Sequence, residues 1–202
     1  MNDTKENILI AALHLFAKNG FEAVSVSDIA GQLGMTKGAL YKHYRSKRDI
    51  FDSIVARMER LDAEQAQQYE LPVGSLAEME ESYRNATMRR IIEFSLAQFR
   101  YWTEDDFPSS FRRMLTLEQY RNEEMRNLYQ QYLVSGPLGY VTDLFRSWNM
   151  EDAQGKAIDF YAPMFFLYSM YDGIEDKNAL IAVLEERMNH LSSAWKASER
   201  NG

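Results

Sequence analysis

Helix signals follow one another so closely in the first fifty residues that they constrain the fold more than any other feature of this 202-residue chain. The first segment, ILIAALHLFAKNGF, has the apolar spacing of a helix buried on one face, at Ile8, Ala11, Ala12, Leu15 and Phe16. Asn19-Gly20 then supplies a residue pair suited to a left-handed helix exit. The segment therefore predicts an amphipathic helix that ends at this pair.

Two further short helices follow the first. SVSD, from Ser25 to Asp28, fits a capping box, and Gly34 ends the helix that it starts. After the turn GMT, Thr36 caps a third helix, KGALYKHY. Three short helices, with a three-residue turn containing glycine between the second and third, predict a helix-turn-helix with a supporting first helix.

The remainder of the chain also favours helices. Only four prolines and ten glycines occur in the chain, 46% of the residues are hydrophobic, and Leu, Ala, Glu, Arg and Met are frequent. We expect an all-α protein of about nine helices, with an N-terminal helix-turn-helix domain at 1–48 and a C-terminal helical domain at 49–202. We expect Pro72 and Gly74 to end the fourth helix, and a long fifth helix to run from Ser75 to about Trp102. Gly136-Pro137 should interrupt a helix over 118–147.

Charge is distributed unevenly along the chain. The net charge is −7, yet residues 1–50 hold seven Lys or Arg against five acids, and no acid occurs from Gly31 to Lys47. The acidic remainder of the chain, which we call the body, repels polyanions. A basic face at one end therefore concentrates the attraction for nucleic acid there. This pattern predicts a protein that presents one end to DNA.

The acid-free stretch has the side chains that reading a major groove requires. Thr36 and the first helix amides can bind a phosphate at the positive end of the helix dipole. Gly38 lets backbone approach the duplex, and Lys37, Tyr41 and Lys42 lie on the side away from Leu40. His43 and Lys47 are placed for phosphate contact. The alternative is that KHYRSKR is only a solvated helix end. Tyr44 is expected to lie in the core rather than to contact DNA.

The segment ILIAALHLFAKNGFEAVSVSDIAGQLGMTKGALYKHYRSKRDIFDSIV closely resembles the N-terminal domain of TetR-family transcriptional regulators. The resemblance covers roughly residues 5–55 and includes SVSDIA, GALYKHY and SKRDIF. It implies a homodimer that binds a palindromic operator on double-stranded DNA, usually as a repressor, and is released by a small molecule held in the body. Carried onto this sequence, the DNA contacts fall at Ser27, Thr36, Lys37, Gly38, Tyr41, Lys42, His43 and Lys47.

The C-terminal part is rich in aromatic residues and methionines, of which most are expected to be plain core. A subset lining a cavity would suit a small apolar or aromatic ligand. The mid-helix candidates for ligand binding are Phe99, Trp102, Tyr129, Tyr132, Tyr161 and Phe165. Glu93, Glu104 or Asp159 would favour a cationic ligand if buried, whereas surface positions are the simpler expectation for these carboxylates.

The last two helices are the expected dimer interface. AIDFYAPMFFLYSMY is apolar nearly all round, and ALIAVLEERMNHLSSAW carries an apolar stripe. Paired with their copies they would form a four-helix bundle. The interface residues expected are Phe166, Met170, Leu180, Leu184, Met188, Leu191 and Trp195. Pro163 should kink the first of these helices unless a neighbour satisfies the freed carbonyl.

Other classes of function have less support. The chain has no cysteine, three scattered histidines, and no HExxH, phosphate loop or nucleophile elbow, so neither an enzyme nor a bound cofactor or metal is expected. Glu186 and His190 share a helix face, but a solvated pair is the expected arrangement. A helical module that binds an acidic protein partner stays open. Because cysteine is absent and the N-terminus lacks an export-signal pattern, we expect a cytoplasmic protein with no membrane partner.

Overall fold

The computed structural model describes residues 3–69 and 77–199. Every regular element in these ranges is a helix, so the all-α prediction is confirmed, with eleven helices where about nine were expected. Pro72, Gly74 and Ser75 lie outside the described residues. The helices are α1 Asp3–Asn19, α2 Val26–Gln32, α3 Lys37–Leu40, α4 Lys47–Gln68, α5 Glu80–Asn85, α6 Met88–Glu104, α7 Asp106–Glu118, α8 Glu123–Leu133, α9 Ser135–Ser147, α10 Ala153–Tyr171 and α11 Lys177–Glu199.

The long fifth helix expected up to Trp102 is wrong, because the chain breaks between α5 and α6. Ala86 is extended, with φ −64° and ψ 146°. Thr87 then begins a new helix, since its hydroxyl accepts a hydrogen bond from the Arg90 amide at 3.3 Å. Threonine favours such a local bond, which competes with continuing the preceding helix.

The interruption expected at Gly136-Pro137 is confirmed. α8 ends at Leu133 and α9 begins at Ser135. A Cβ at position 136 would overlap the Gln131 carbonyl oxygen, so glycine is needed for this close approach. Pro137 falls in the first turn of α9, where a missing N–H costs no helix hydrogen bond.

The described chain divides into two compact units. The first holds the chain up to Glu64 together with Asp105–Tyr129, and the second holds Gln65–Glu104 together with Gln130 onward. The division at residue 48 stays a prediction. The compact unit that contains the helix-turn-helix also includes most of α4, α7 and the start of α8.

The core of the first unit is built around α1. This helix packs on α2 and on α7, so its buried residues extend beyond the predicted face to Leu9, Leu13 and Ala17. His14 on α1 bonds the Asp106 carboxylate at 2.8 Å, at the start of α7. Phe21, in the turn after α1, packs its ring against Phe16 and Phe51.

The second unit is centred on α10. α10 packs against α6, α9 and α11, and α5 packs against α9. Phe99 of α6 stacks on Tyr168 of α10, with ring centres 5.0 Å apart and planes 11° apart. Pro163 lies inside α10, which is continuous from Ala153 to Tyr171.

Candidate nucleic-acid interface

The capping box predicted at the start of α2 is confirmed. The Ser25 hydroxyl accepts from the Asp28 amide at 3.2 Å, and the Asp28 carboxylate accepts from the Ser25 amide at 2.7 Å. The Ser25 hydroxyl also donates to this carboxylate, and these bonds hold the pKa of Asp28 below its usual range. Ser27 lies exposed in the first turn of the helix that this box fixes.

A tight turn joins α2 to α3. Gly34 has φ +64°, in the left-handed region that favours glycine, and the Met35 amide donates to the Ala30 carbonyl at 2.9 Å. Thr36 follows in extended backbone, and its hydroxyl accepts from the Ala39 amide at 3.1 Å. The turn and the cap together fix the direction of α3 in the helix-turn-helix domain, which we call the head.

α3 is shorter than the predicted helix KGALYKHY. The α-helix covers Lys37–Leu40, after which Lys42 and His43 donate to carbonyls three residues back, those of Ala39 and Leu40. The chain thus tightens into a turn of 3₁₀ type. Tyr44 follows at the end of this segment, with its ring buried.

One side of this segment is buried and the other is open. Leu40 and Tyr44 are buried, and the Tyr44 hydroxyl donates to the Lys5 carbonyl at 3.3 Å. Burial raises the pKa of the Tyr44 phenol. Tyr44 therefore anchors the segment to α1, and its burial is the expected one. The open side is formed by Thr36, Lys37, Gly38, Tyr41, Lys42 and His43, all exposed.

Tyr41 is the largest apolar group on the open side. Its side chain is 44% exposed, and the Lys37 ammonium lies 5.8 Å from the centre of its ring. A lysine and an aromatic ring one turn apart offer both charge and a flat apolar surface to a ligand. We name the exposed set Ser27, Thr36, Lys37, Gly38, Tyr41, Lys42 and His43 the reading face.

Lys47 was predicted to contact phosphate, but the structure gives it another position. It is half-buried, and its ammonium donates to the Phe21 and Glu22 carbonyls at 2.7 and 3.3 Å. It also lies 4.3 Å from the centre of the Phe21 ring. Lys47 thus fastens α4 to the turn after α1, whereas the lysines of the reading face are exposed and make no such bonds in the described residues.

The positive charge of Arg48 is compensated by two carboxylates. Its guanidinium donates two bonds of 2.6 Å to Glu124 and one of 2.6 Å to Asp52. These bonds, to Glu124 first and Asp52 second, raise the pKa of Arg48. The acid-free stretch therefore ends where Arg48 pairs with carboxylates, whereas Lys37 and Lys42 of the reading face and the neighbouring Arg45 are exposed.

The predicted ligand residues fall into different environments. Trp102 and Tyr132 meet in the second unit, with ring centres 5.9 Å apart. The Tyr161 hydroxyl donates to the Leu133 carbonyl at 2.7 Å, and its ring lies 6.3 Å from that of Phe165. Phe99 is packed against Tyr168 and Tyr171. Tyr129 belongs to the first unit, where burial raises the pKa of its phenol.

The predicted dimer residues also divide. Phe166 and Met170 are 62% and 39% exposed on α10. Leu180, Leu184 and Met188 are already buried within the protomer, so a second copy cannot bury them further, and their assignment to an interface is corrected here. Leu191 and Trp195 are half-buried, and Trp195 packs edge-on against Phe145. The stripe on α11 mostly faces its own core, because α10 and α6 lie against it.

Sequence reasoning missed one contact that shapes this unit. Glu118, at the end of α7, is completely buried, and its carboxylate accepts from the Phe21 amide at 2.9 Å. No local pattern signals a partner so far along the chain. Within the described residues there is no cluster of His, Asp or Glu suited to a metal ion, and no helix long and apolar enough to cross a membrane.

Comparisons with known proteins agree with this geometry. Residues 8–54 match the family described as bacterial regulatory proteins, tetR family. The chain is 24% identical over 192 residues to the transcriptional regulator AcrR of Shigella flexneri, covering 82% of this chain and 89% of the relative. It is 42% identical over 55 residues to the transcriptional repressor BepR of Brucella suis, covering 27% of this chain and 26% of that protein.

The fold is shared over nearly the whole length. A crystal structure of a regulator of this class from Aquifex aeolicus superposes with a TM-score of 0.64 at 18% identity, covering 93% of this chain and 99% of the other. Such a likeness shows the fold, whereas the family match concerns the helix-turn-helix. Together, the match over residues 8–54, the similarity to AcrR and the shared fold indicate a TetR-family helix-turn-helix transcriptional regulator, a class of DNA-binding proteins rather than enzymes.

Proposed function

We propose that this regulator is a cytoplasmic repressor that binds a palindromic operator as a homodimer and releases it when a small aromatic or apolar ligand binds the second unit. The observation that carries the proposal is the reading face, an exposed and acid-free surface on a head fixed by two helix caps. The repressor BepR, to which this head is similar, supports the repressor assignment.

Each part of the reading face has a distinct task. Thr36 and the amides at the start of α3 hold a phosphate, and Lys37 and Lys42 add charge to the contact. Tyr41 is placed to pack against bases or sugar in the major groove. Gly38 has open space around it, since a Cβ there would meet nothing nearer than its own neighbour Thr36 at 4.0 Å, so the chain can approach the duplex.

Two copies are required because one head reads one half-site. Half-sites of a palindrome lie one helical turn apart, about 34 to 36 Å, and two heads at that spacing double the phosphate contacts. Exposed apolar side chains on α10 and α11 support pairing through these helices: Ile158, Phe166, Met170 and Val183. Large apolar side chains exposed on neighbouring helices often mark protein–protein interfaces.

Ligand release requires a preference between two conformations. A ligand that binds the second unit more tightly when the heads are misaligned shifts the population away from the DNA-binding state. Moving a repressor from 99% to 1% competent requires roughly 5.5 kcal/mol of such preference. The aromatic pair Trp102 and Tyr132, with Tyr161 and Phe165, supplies the surface on which the ligand would pack.

The DNA-binding proposal is tested by removing one charge from the reading face. Genomic fragments are first selected on the immobilised protein, and the bound operator is then titrated by fluorescence anisotropy. Lys37→Ala should weaken binding, and should reduce the slope of log K against log salt by about one, because one phosphate contact is lost.

Arg89→Ala is the matched control for this titration. Arg89 is exposed in the second unit and pairs only with Glu93 one turn away, so its removal should leave operator affinity unchanged. Equal affinity and equal salt slopes for the natural protein and Lys37→Ala would show that the reading face does not contact DNA.

A further inference from the structure

Among the described residues of the second unit, the amide oxygen of Gln98 and the hydroxyl of Tyr140 are buried without a hydrogen-bond partner, and the first of these is on α6. Gln98 of α6 is 8% exposed, and its amide oxygen is covered and accepts no hydrogen bond within the described part of the chain. More than nine in ten buried polar groups in folded proteins are paired, and an unpaired one opposes folding. The exception calls for a reason.

The helix itself cannot supply the missing donor. Gln98 lies in the interior of α6, where backbone amides are used by helix hydrogen bonds. Thr103, five positions further on, illustrates the opposite case, since its hydroxyl donates to the Phe99 carbonyl at 2.6 Å. A hydroxyl can bond to a carbonyl of its own helix, whereas the oxygen of Gln98 needs an N–H or O–H group from outside.

Aromatic rings surround the same face of α6. Gln98 and Trp102 are one turn apart, so both lie on one face of the helix. Trp102 contacts the rings of Tyr132 and Tyr101, with centres 5.9 and 5.8 Å away. The Tyr161 hydroxyl is already donated to the Leu133 carbonyl. A flat ring packed on this face would therefore find aromatic surface and one unused acceptor.

From these contacts we infer that Gln98 is the polar anchor of the ligand site, and that the ligand is an uncharged aromatic molecule carrying an N–H or O–H donor. The inference rests on the proposed function, whose ligand class it narrows. A cation has no buried counter-charge here, because Glu93, Glu104 and Asp159 are all exposed. An anion likewise lacks a counter-charge, because no Lys or Arg among the described residues of the second unit is buried.

The ligand class is tested with matched pairs of probes. 1-Naphthol and indole each carry one donor, while 1-methoxynaphthalene and 1-methylindole have nearly the same shape without it. Calorimetric titration of the natural protein should give at least one donor probe that binds about tenfold more tightly than its methylated partner, the value of one hydrogen bond to a buried acceptor. Equal affinities within each pair, or no binding by any probe, would overturn the inference.

The residue is tested by Gln98→Met, which keeps the length of the side chain and removes the amide. Without ligand, this variant should melt at the same temperature as the natural protein or higher, because a buried unpaired polar group is lost. It should also lose the preference for the donor probe. Thr103→Val is the control: it removes a paired hydroxyl, so it should lower the melting temperature and keep the preference.

The results separate this inference from the proposed function. A lower melting temperature for Gln98→Met would show that the amide is satisfied in the folded protein and would overturn the inference. Operator binding by the natural protein, measured alongside, reports on the proposed function alone. If the protein binds no genomic fragment, the proposed function fails, while the probe pairs still decide whether Gln98 recognises a donor.

Discussion

At the scale of single residues, the turn after α1 depends on a glycine and a distant carboxylate. Gly20 has φ +86°, and its amide donates to the Phe16 carbonyl at 2.9 Å, which closes α1. Glu118 reaches the next amide, that of Phe21, from the end of α7. A Cβ at position 20 would overlap the Glu118 carboxylate oxygen. The turn thus requires glycine for both its backbone angle and its lack of a side chain.

Gly20→Ala should therefore destabilise the protein more than Gly34→Ala. Position 34 also has positive φ, at +64°, but open space surrounds it, so alanine there costs only the left-handed backbone, about 1–2 kcal/mol. Alanine at position 20 adds displacement of the Glu118 carboxylate and loss of its bond to Phe21. Urea unfolding of both variants measures the difference. Equal losses would show that Glu118 moves aside without cost.

The sequence could predict one half of this arrangement. Asn19-Gly20 is a local helix-exit signal, and its positive φ follows from residue type alone. The contact with Glu118 joins residues 97 positions apart, and a glutamate at a helix end reads as a surface residue until the packing of α7 on α1 is known. Gln98 is similar, since glutamine within an amphipathic helix gives no sign that its amide is buried without a partner.

At the scale of helices, the caps were predictable from sequence because they are local. The burial that contacts between distant helices impose was not predictable in this way. The caps at Ser25 and Thr36 depend on residues three apart, so sequence indicated them directly. The burial of Leu184 and Met188 arises from helices packed against α11. Periodicity identifies an apolar stripe but does not say whether the stripe faces its own core or a partner.

The capping box of α2 predicts a pH dependence of the head. Asp28 has a pKa below its ordinary value of about 3.9 because the folded state donates hydrogen bonds to its carboxylate. The stabilisation is therefore fully present above that ordinary value and is lost as pH falls through the lower, folded-state pKa. Carboxylate titration by NMR should give a pKa for Asp28 below 3.9, and Asp28→Asn should lower stability at pH 7 and remove this part of the acid transition.

Asp105→Asn is the control for that titration. Asp105 precedes α7 at the cap position, yet its side chain accepts no cap hydrogen bond, so its replacement should leave stability at pH 7 nearly unchanged. Identical acid transitions for the natural protein and Asp28→Asn would contradict a role for the box in holding α2.

At the scale of the whole molecule, the sequence predicted a helical head and a helical body, but not the composition of the first compact unit. Residues 105–129 join the helix-turn-helix in that unit although they follow α4, α5 and α6 along the chain. The hydrogen bond from His14 to Asp106 and the ion pair of Arg48 with Glu124 join these distant segments. A linear division of the chain cannot represent a unit assembled from two separated segments.

Dimerisation is the prediction that belongs to this scale. The proposed interface is the exposed apolar face of α10, on which Ile158, Phe166 and Met170 recur at helical spacing, together with Val183, which is exposed on α11. Phe166→Asp places a charge on the most exposed of these positions, and burying an unpaired charge opposes association strongly. Sedimentation velocity should show a dimer for the natural protein and a monomer for this variant, with much weaker operator binding.

Leu117→Asp is the matched control, because Leu117 is an exposed leucine of α7 in the first unit and lies on neither α10 nor α11. It should remain dimeric and keep its operator affinity. A monomeric natural protein at the concentrations that bind operator would contradict the proposal that two heads act together. A dimeric Phe166→Asp protein would instead place the interface elsewhere, because a carboxylate without a counter-charge cannot stay at the centre of an apolar contact.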